Sequence, residues 1–221
     1  MPCAVTSFKA VPFFLPGSHG DLFAVYYPPH CTPSHGALLY VHPFAEEANW
    51  ARPVIAAVGR AIARLGYGVL TVDLFGCGDS AGEFRDARWT IWRNDLSLAA
   101  QWLQDNNFSN VGLWGLRLGG LLALDFACQS GRSFPFIVLW QPPFSGAETL
   151  RQFLRLRLLH QVSGPYSRMT SKQLREELAS GKCIEVAGWE LSPELAFALE
   201  GLQLSSLISR ASSHIYYVEF V

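Results

Sequence analysis

Residues 111–120 read Val-Gly-Leu-Trp-Gly-Leu-Arg-Leu-Gly-Gly. The first six form a short continuous apolar run, the pattern of a strand covered on both faces. A helix, Leu118 to Gln129, follows with no spacer. Gly115 and Gly119 bracket Arg117, so the chain can reverse sharply without Cβ clashes. The middle side chain of such a turn stands above the carboxyl edge of the sheet, at the N-terminus of the next helix.

Outward from this turn, strand and helix alternate. Gly36 to His42 is an apolar run stopped by Pro43; Tyr67 to Phe75 and Phe134 to Trp140 have the same character. Between them, Asn49 to Leu65 carries Val54, Ile55, Val58, Ile62 and Leu65 at helical spacing, ended by Gly66. Trp89 to Asp105 is a second amphipathic helix. Upstream, Phe8 to Leu15 and Asp21 to Tyr27 flank Pro16-Gly17-Ser18-His19-Gly20 and read as a strand pair. Right-handed crossovers turn this order into a mostly parallel sheet with helices on both faces, a three-layer α/β sandwich. After Pro143 the alternation breaks. Residues 145–202 are expected to hold two or three helices, with a short strand at Cys183 to Val186, and a β pattern resumes at His214 to Val221. The chain therefore divides into a first part of the core (1–144), a helical cap or insertion (145–205) and a last core strand (206–221), all within one domain.

Composition narrows the function classes. Half of the 221 residues are hydrophobic and 16% are charged, against about 25% in ordinary globular proteins. The net charge of −1 provides no field to steer the chain to nucleic acid or to an anionic membrane. Five cysteines, Cys3, Cys31, Cys77, Cys128 and Cys183, stand far apart with no Cys-x-x-Cys pair, which favours a reducing compartment over a disulfide framework or zinc site. The N-terminus lacks the charged leader and apolar core of a signal peptide, and no run of about 18 uncharged apolar residues spans a membrane. A cytoplasmic address is expected, with no metal and no cofactor.

Ligands of parallel sheets collect at the carboxyl ends of the strands. Three such ends carry unusual residues: His42-Pro43-Phe44-Ala45-Glu46-Glu47, Asp73-Leu74-Phe75-Gly76-Cys77-Gly78-Asp79-Ser80, and the turn at Arg117. In this order they resemble the α/β-hydrolases, over about residues 20–221. The wording of Pro43–Glu47, Val72–Gly82, Trp114–Arg117 and Phe153-Leu154-Arg155-Leu156-Arg157-Leu158 is similar to the type 2 hydrolase associated with exosortase A systems, found beside exopolysaccharide and protein-sorting genes in bacteria. The resemblance implies an α/β-hydrolase fold with a helical cap after the sixth strand. It also implies that a C-terminal strand and helix of that fold are missing here.

The elbow departs from the hydrolase pattern. Gly-x-Ser-x-Gly elbows hold a serine nucleophile, whereas this one holds Arg117. A guanidinium has no nucleophilic atom and stays protonated. Glu219, at the end of the last strand, stands where the acid of the triad would be, and only Phe220 and Val221 follow it, so no later histidine completes a triad. Two functions from different classes remain. One is an enzyme acting on an ester, thioester or acyl group by a non-serine route, with water activated by Glu46. The other is a catalytically silent hydrolase-fold protein that binds an anionic ligand or a partner.

Several residues carry two readings each. The N–H of Leu118 and one near Phe44 would form the oxyanion hole, and Arg117 would add a fixed positive charge for a carboxylate, phosphate or sulfate. Glu46 or Glu47 would be its counter-ion, since an unpaired buried arginine is costly; the alternative is that Arg117 only pins that glutamate. Cys77 is a replacement nucleophile or a small hydrophobe. His42 shapes the pocket or is hydrogen-bonded within its loop, and Asp73 and Ser80 cap their own turn. The basic amphipathic helix Leu150 to His160 is a lid drawn to an anionic substrate, or packs its leucines on the core and solvates its arginines. His160 and His214 lack partners at metal-ligand spacing. Ile215 to Phe220 forms an apolar edge, for which either a partner strand, such as one from a second copy in a homodimer, or poor solubility is expected.

Overall fold

A computed structural model describes residues 9–160 and 170–219. Cys3, Phe8, Phe220, Val221 and the side chain of His160 lie outside the described residues. The main sheet has seven strands: β1 (Val11–Leu15), β2 (Leu22–Tyr27), β3 (Gly36–Val41), β4 (Tyr67–Val72), β5 (Val111–Leu116), β6 (Phe136–Trp140) and β9 (His214–Val218), in the order β1-β2-β4-β3-β5-β6-β9. The first two pairings are antiparallel and the other four parallel. The helices of the crossovers are α1 (Glu46–Arg64), α2 (Trp89–Asp105) and α3 (Leu118–Gln129).

The continuous apolar run of β3 follows from its central place between β4 and β5. Ala37, Leu39 and Val41 enter the larger core with residues of α2 and α3, while Leu38 and Tyr40 enter a second core with Ile55 and Ala63 of α1. A strand covered on both faces has no place for a polar residue, which is why period-2 alternation is absent. On α1, Ile55, Gly59 and Ala63 recur every four residues and form its buried stripe.

Two boundaries that shape the carboxyl edge of the sheet differ from the sequence reading by three residues. Helix α1 begins at Glu46 rather than Asn49, because Glu46 and Glu47 occupy its first turn, where carboxylates favour the free N–H groups. Strand β4 ends at Val72 rather than Phe75. The chain there folds into a turn closed by Cys77 N–H to Leu74 O (2.9 Å) and Gly76 N–H to Ala81 O (2.8 Å).

Among the described residues, 145–202 hold three helices, within the two or three expected: α4 (Gly146–His160), α5 (Ser171–Ala179) and α6 (Pro193–Glu200); a further helix, α7 (Leu204–Arg210), follows them. Capping residues separate them, as at Ser192, whose side chain accepts from Leu195 N–H. Helix α7 runs across the boundary expected at residue 205. The strand expected at Cys183 to Val186 is β7 (Ile184–Val186), paired with β8 (Trp189–Leu191) in a hairpin. Leu150, Phe153 and Leu154 of α4 are buried while Arg151 and Arg155 are exposed, so this helix packs its apolar side on the core.

Candidate functional site

The turn between β5 and α3 is a sharp elbow. Arg117 has φ 52° and ψ −124°, a backbone region that non-glycine residues rarely enter and that costs about 1–3 kcal/mol. Its surroundings hold it there: its N–H donates to Trp140 O (2.9 Å) and its carbonyl accepts from Gly120 N–H (2.9 Å). The flanking glycines are steric necessities. A Cβ on Gly115 would lie 2.5 Å from Gly119 O, and one on Gly119 would lie 2.2 Å from Val41 O. The N-terminus of α3 is thus pressed against the carboxyl end of β3.

Ala45 repeats the same backbone, φ 49° and ψ −127°, immediately before α1. Two helices therefore begin side by side through matching strained turns. Neither the N–H of Ala45 nor that of Leu118 makes a hydrogen bond among the described residues. A negative oxygen between two such helix starts is stabilised by the free donors and by the dipoles.

Arg117 Nη2 pairs with Glu47 Oε1 at 3.2 Å, and both side chains keep partial contact with solvent. Of the two glutamates, Glu47 is the counter-ion. Glu46 turns elsewhere: its Oε2 accepts from Trp189 Nε1 (3.3 Å) and Asn49 Nδ2 (3.2 Å). Both carboxylates line a cleft of about 420 Å³, whose apolar walls come from Phe44, Trp50, Phe153, Leu156 and Trp189. The hairpin and α4 form its far wall, so the inserted elements shape the cleft beside the elbow.

The other predicted residues fall elsewhere. His42 is buried; its Nδ1–H donates to Pro43 O (2.7 Å) and its Nε2 accepts from Leu74 N–H (3.3 Å). Nε2 ties the loop after β3 to the loop after β4 while Nδ1 braces its own loop, and burial holds the imidazole below its usual pKa, in the neutral form. Cys77 is buried, and that burial pushes its thiol well above the usual range, away from the thiolate a nucleophile needs. Asp73 and Ser80 brace their turn: Asp73 Oδ2 accepts from Arg52 Nη2 (2.7 Å) and Asp79 N–H (3.0 Å), and Phe23 N–H donates to Ser80 Oγ (2.8 Å). Glu219 is exposed beyond β9, two strands from β5 in the sheet. Leu118 is buried at the first position of α3. Among the described residues no group of three or more His, Cys, Asp or Glu is arranged to hold a metal ion, and no helix is long and apolar enough to cross a membrane.

One ionisable group was not flagged by the motifs. Asp95 lies 1% exposed on the buried side of α2, among Trp92, Leu96 and Ala99. Its Oδ2 accepts from Phe75 N–H (2.9 Å), while Oδ1 has no partner among the described residues. Burial pushes its carboxyl up to about 6, against the opposing pull of that hydrogen bond. The signal was present in the sequence: a carboxylate at an apolar-stripe position of a helix.

Residues 32–181, more than half of the chain, match the serine aminopeptidase S33 family. The chain belongs to this family of α/β-hydrolases. Its fold is similar to that of Est1E of Butyrivibrio proteoclasticus with ferulic acid bound (TM-score 0.69, 15% identity, 94% of this chain and 78% of that one). It is also similar to a soluble variant of the monoglyceride lipase of Saccharomyces cerevisiae (0.62, 13%, 98% and 89%) and to an α/β serine hydrolase without a lid from Xanthomonas campestris (0.53, 20%, 64% and 65%). No curated protein sequence matches the chain. Against a family built on a serine elbow, the family fold here keeps the elbow glycines and replaces the attacking residue by Arg117.

Proposed function

We propose that this family member is a hydrolase-fold binding protein for an acyl ligand bearing a carboxylate. The Arg117–Glu47 pair carries the reading, since it stands at the elbow beside an apolar cleft of about 420 Å³. An acyl chain would lie between Phe44, Phe153 and Trp189, and its carboxylate would exchange with Glu47 for the guanidinium and the N–H groups of Ala45 and Leu118. Charge-assisted bonds of this kind are roughly twice as strong as neutral ones. The resemblance of the motifs to exosortase-associated hydrolases supports a place in a bacterial exopolysaccharide or protein-sorting system.

A second reading keeps catalysis. Glu46 lines the same cleft, with its carboxylate fixed by Trp189 and Asn49, and would act as base toward a water. One experiment separates the two. Octanoate is titrated calorimetrically into the wild type and Arg117→Ala, and p-nitrophenyl octanoate turnover is followed in parallel. The binding reading expects one octanoate per chain, about tenfold weaker binding in Arg117→Ala, and no turnover above buffer. Absence of binding overturns it. Turnover that Glu46→Gln abolishes replaces it by the enzyme.

A further inference from the structure

The cleft beside Arg117 opens onto an exposed apolar rim. Its inner wall holds Phe44 and Phe153, which are buried, whereas Trp50 and Leu156 line the same cleft and are exposed. Trp50 is 78% exposed, so most of its indole meets solvent. Val54 is also exposed and follows Trp50 by one turn of α1, so the two carry the apolar surface outward from the cleft mouth. Single exposed hydrophobes are ordinary, but a contiguous set at the mouth of an apolar cleft marks a surface of interaction.

The charges around this rim are unevenly matched. Glu46 and Glu47, on the α1 side, are engaged by Trp189, Asn49 and Arg117. Arg157 of α4 pairs with Glu185. Arg151 and Arg155 stand one turn apart on the exposed face of α4 that adjoins Leu156, with no hydrogen bond or ion pair among the described residues. The acidic residue of that helix is Glu148, whose Oε1 accepts from Gln152 Nε2 (3.3 Å). The rim thus combines an indole, two aliphatic side chains and two unpaired guanidiniums.

We propose that this rim docks on an anionic lipid bilayer, with Trp50, Val54 and Leu156 at the headgroup boundary, Arg151 and Arg155 on lipid phosphates, and the cleft opening toward the membrane. Indole rings settle at the headgroup level, aliphatic side chains reach the acyl boundary, and basic side chains add attraction to anionic lipids. A second copy of the chain fits less well, since an isologous contact would set the same patch, arginines included, against itself. The net charge of −1 gives no long-range pull toward such a surface, but within a Debye length of about 8 Å the local arginines act. That the bilayer then supplies the acyl ligand rests on the function proposed above; the docking itself does not.

Cosedimentation of the full chain with vesicles tests it, comparing pure phosphatidylcholine with an equimolar mixture of phosphatidylcholine and phosphatidylglycerol. The wild type is expected to partition onto the mixed vesicles, more weakly onto phosphatidylcholine, and less in about 1 M salt, where the Debye length is about 3 Å. Trp50→Ala should lower partitioning about tenfold on both compositions. Arg151→Gln combined with Arg155→Gln should lower it about twentyfold on the mixed vesicles and leave octanoate binding in buffer unchanged. Leu65, 70% exposed at the far end of α1, is the control, and Leu65→Ser should change nothing. All four positions are exposed, so the variants should fold as the wild type does. The proposal is overturned if the mixed vesicles do not take up the wild type, if Trp50→Ala or the arginine pair leaves uptake unchanged, or if Leu65→Ser lowers it as much. A dimer that Trp50→Ala dissociates would give the rim to a second copy instead. Octanoate binding without vesicle uptake sinks the docking alone; uptake with these sensitivities in a chain that binds no octanoate sinks the acyl ligand alone.

Discussion

Arg117 and Glu47, seventy positions apart in the chain, meet at 3.2 Å and link the elbow after β5 to the first turn of α1. The pair neutralises the cation that stands in the serine position, yet both partners remain partly exposed. An ion pair in that setting contributes about 0–1 kcal/mol to stability. Its importance is therefore to the state of the site.

Glu47→Gln is accordingly expected to leave the folding free energy within about 1 kcal/mol of the wild type in urea titrations. The same change removes the internal competitor for the guanidinium, so octanoate should bind more tightly, by roughly three- to tenfold. Weaker binding in this variant would show that Glu47 helps hold the acyl ligand.

Arg117→Ser restores the residue type of a hydrolase elbow but not its general base. His42, the histidine of the adjoining loop, has both ring nitrogens bound to the backbone. No esterase activity above buffer is expected against p-nitrophenyl acetate or octanoate. A gain of turnover would mean that another group activates the serine.

Gly119→Ala tests the elbow sterically. Its Cβ would stand 2.2 Å from Val41 O and 2.5 Å from His42 O, both backbone atoms that cannot step aside. A loss of about 1–3 kcal/mol in chemical denaturation is expected, as for other overpacked sites. Gly131→Ala is the contrast, because nothing lies within 4 Å of the position of its Cβ. It tests the positive φ of 66° alone.

Asp95 sets part of the pH dependence. Its carboxyl titrates near 3.8 when unfolded and at about 6 when folded. The folded state therefore binds more protons between those values, and stability declines as pH rises from about 4 through 6. The stabilisation is complete below the unfolded value and lost above the folded one. Asp95→Asn keeps an acceptor for Phe75 N–H and should flatten that segment of the curve, a difference on the order of 3 kcal/mol. His42 acts oppositely: its folded pKa is lowered by burial, so its contribution falls as pH drops below about 6.5. Parallel curves for wild type and Asp95→Asn would refute the assignment.

Thiol labelling separates buried from accessible cysteines. Cys183 is exposed and Cys77 buried, with the Cys77 thiol pushed up by that burial. Under native conditions Cys183 should react with an aromatic disulfide reagent first, and Cys77 only at the rate of unfolding. Cys77→Ala should leave octanoate binding unchanged.

Much of the fold was legible without coordinates because it rests on local effects. The bounds of α2, β5 and α3 follow from apolar spacing and from turn sterics within a few residues. The elbow was readable from Gly115 and Gly119, and the identity of Arg117 alone shows that its side chain is not a nucleophile, since no environment makes a guanidinium one. The short helices of residues 145–210 were less legible: each spans only two to four turns, and their caps matter more than their periodicity.

Tertiary structure decided everything that joins distant segments. It selected Glu47 over Glu46 as the partner of Arg117, and built the cleft wall by bringing Phe153 of α4 and Trp189 of the β7–β8 hairpin together. It also spent both nitrogens of His42 and lifted the titration of Asp95. Residue types set which charges and donors are available, whereas burial and pairing set their energies, and these depend on atoms that meet only after the sheet has closed.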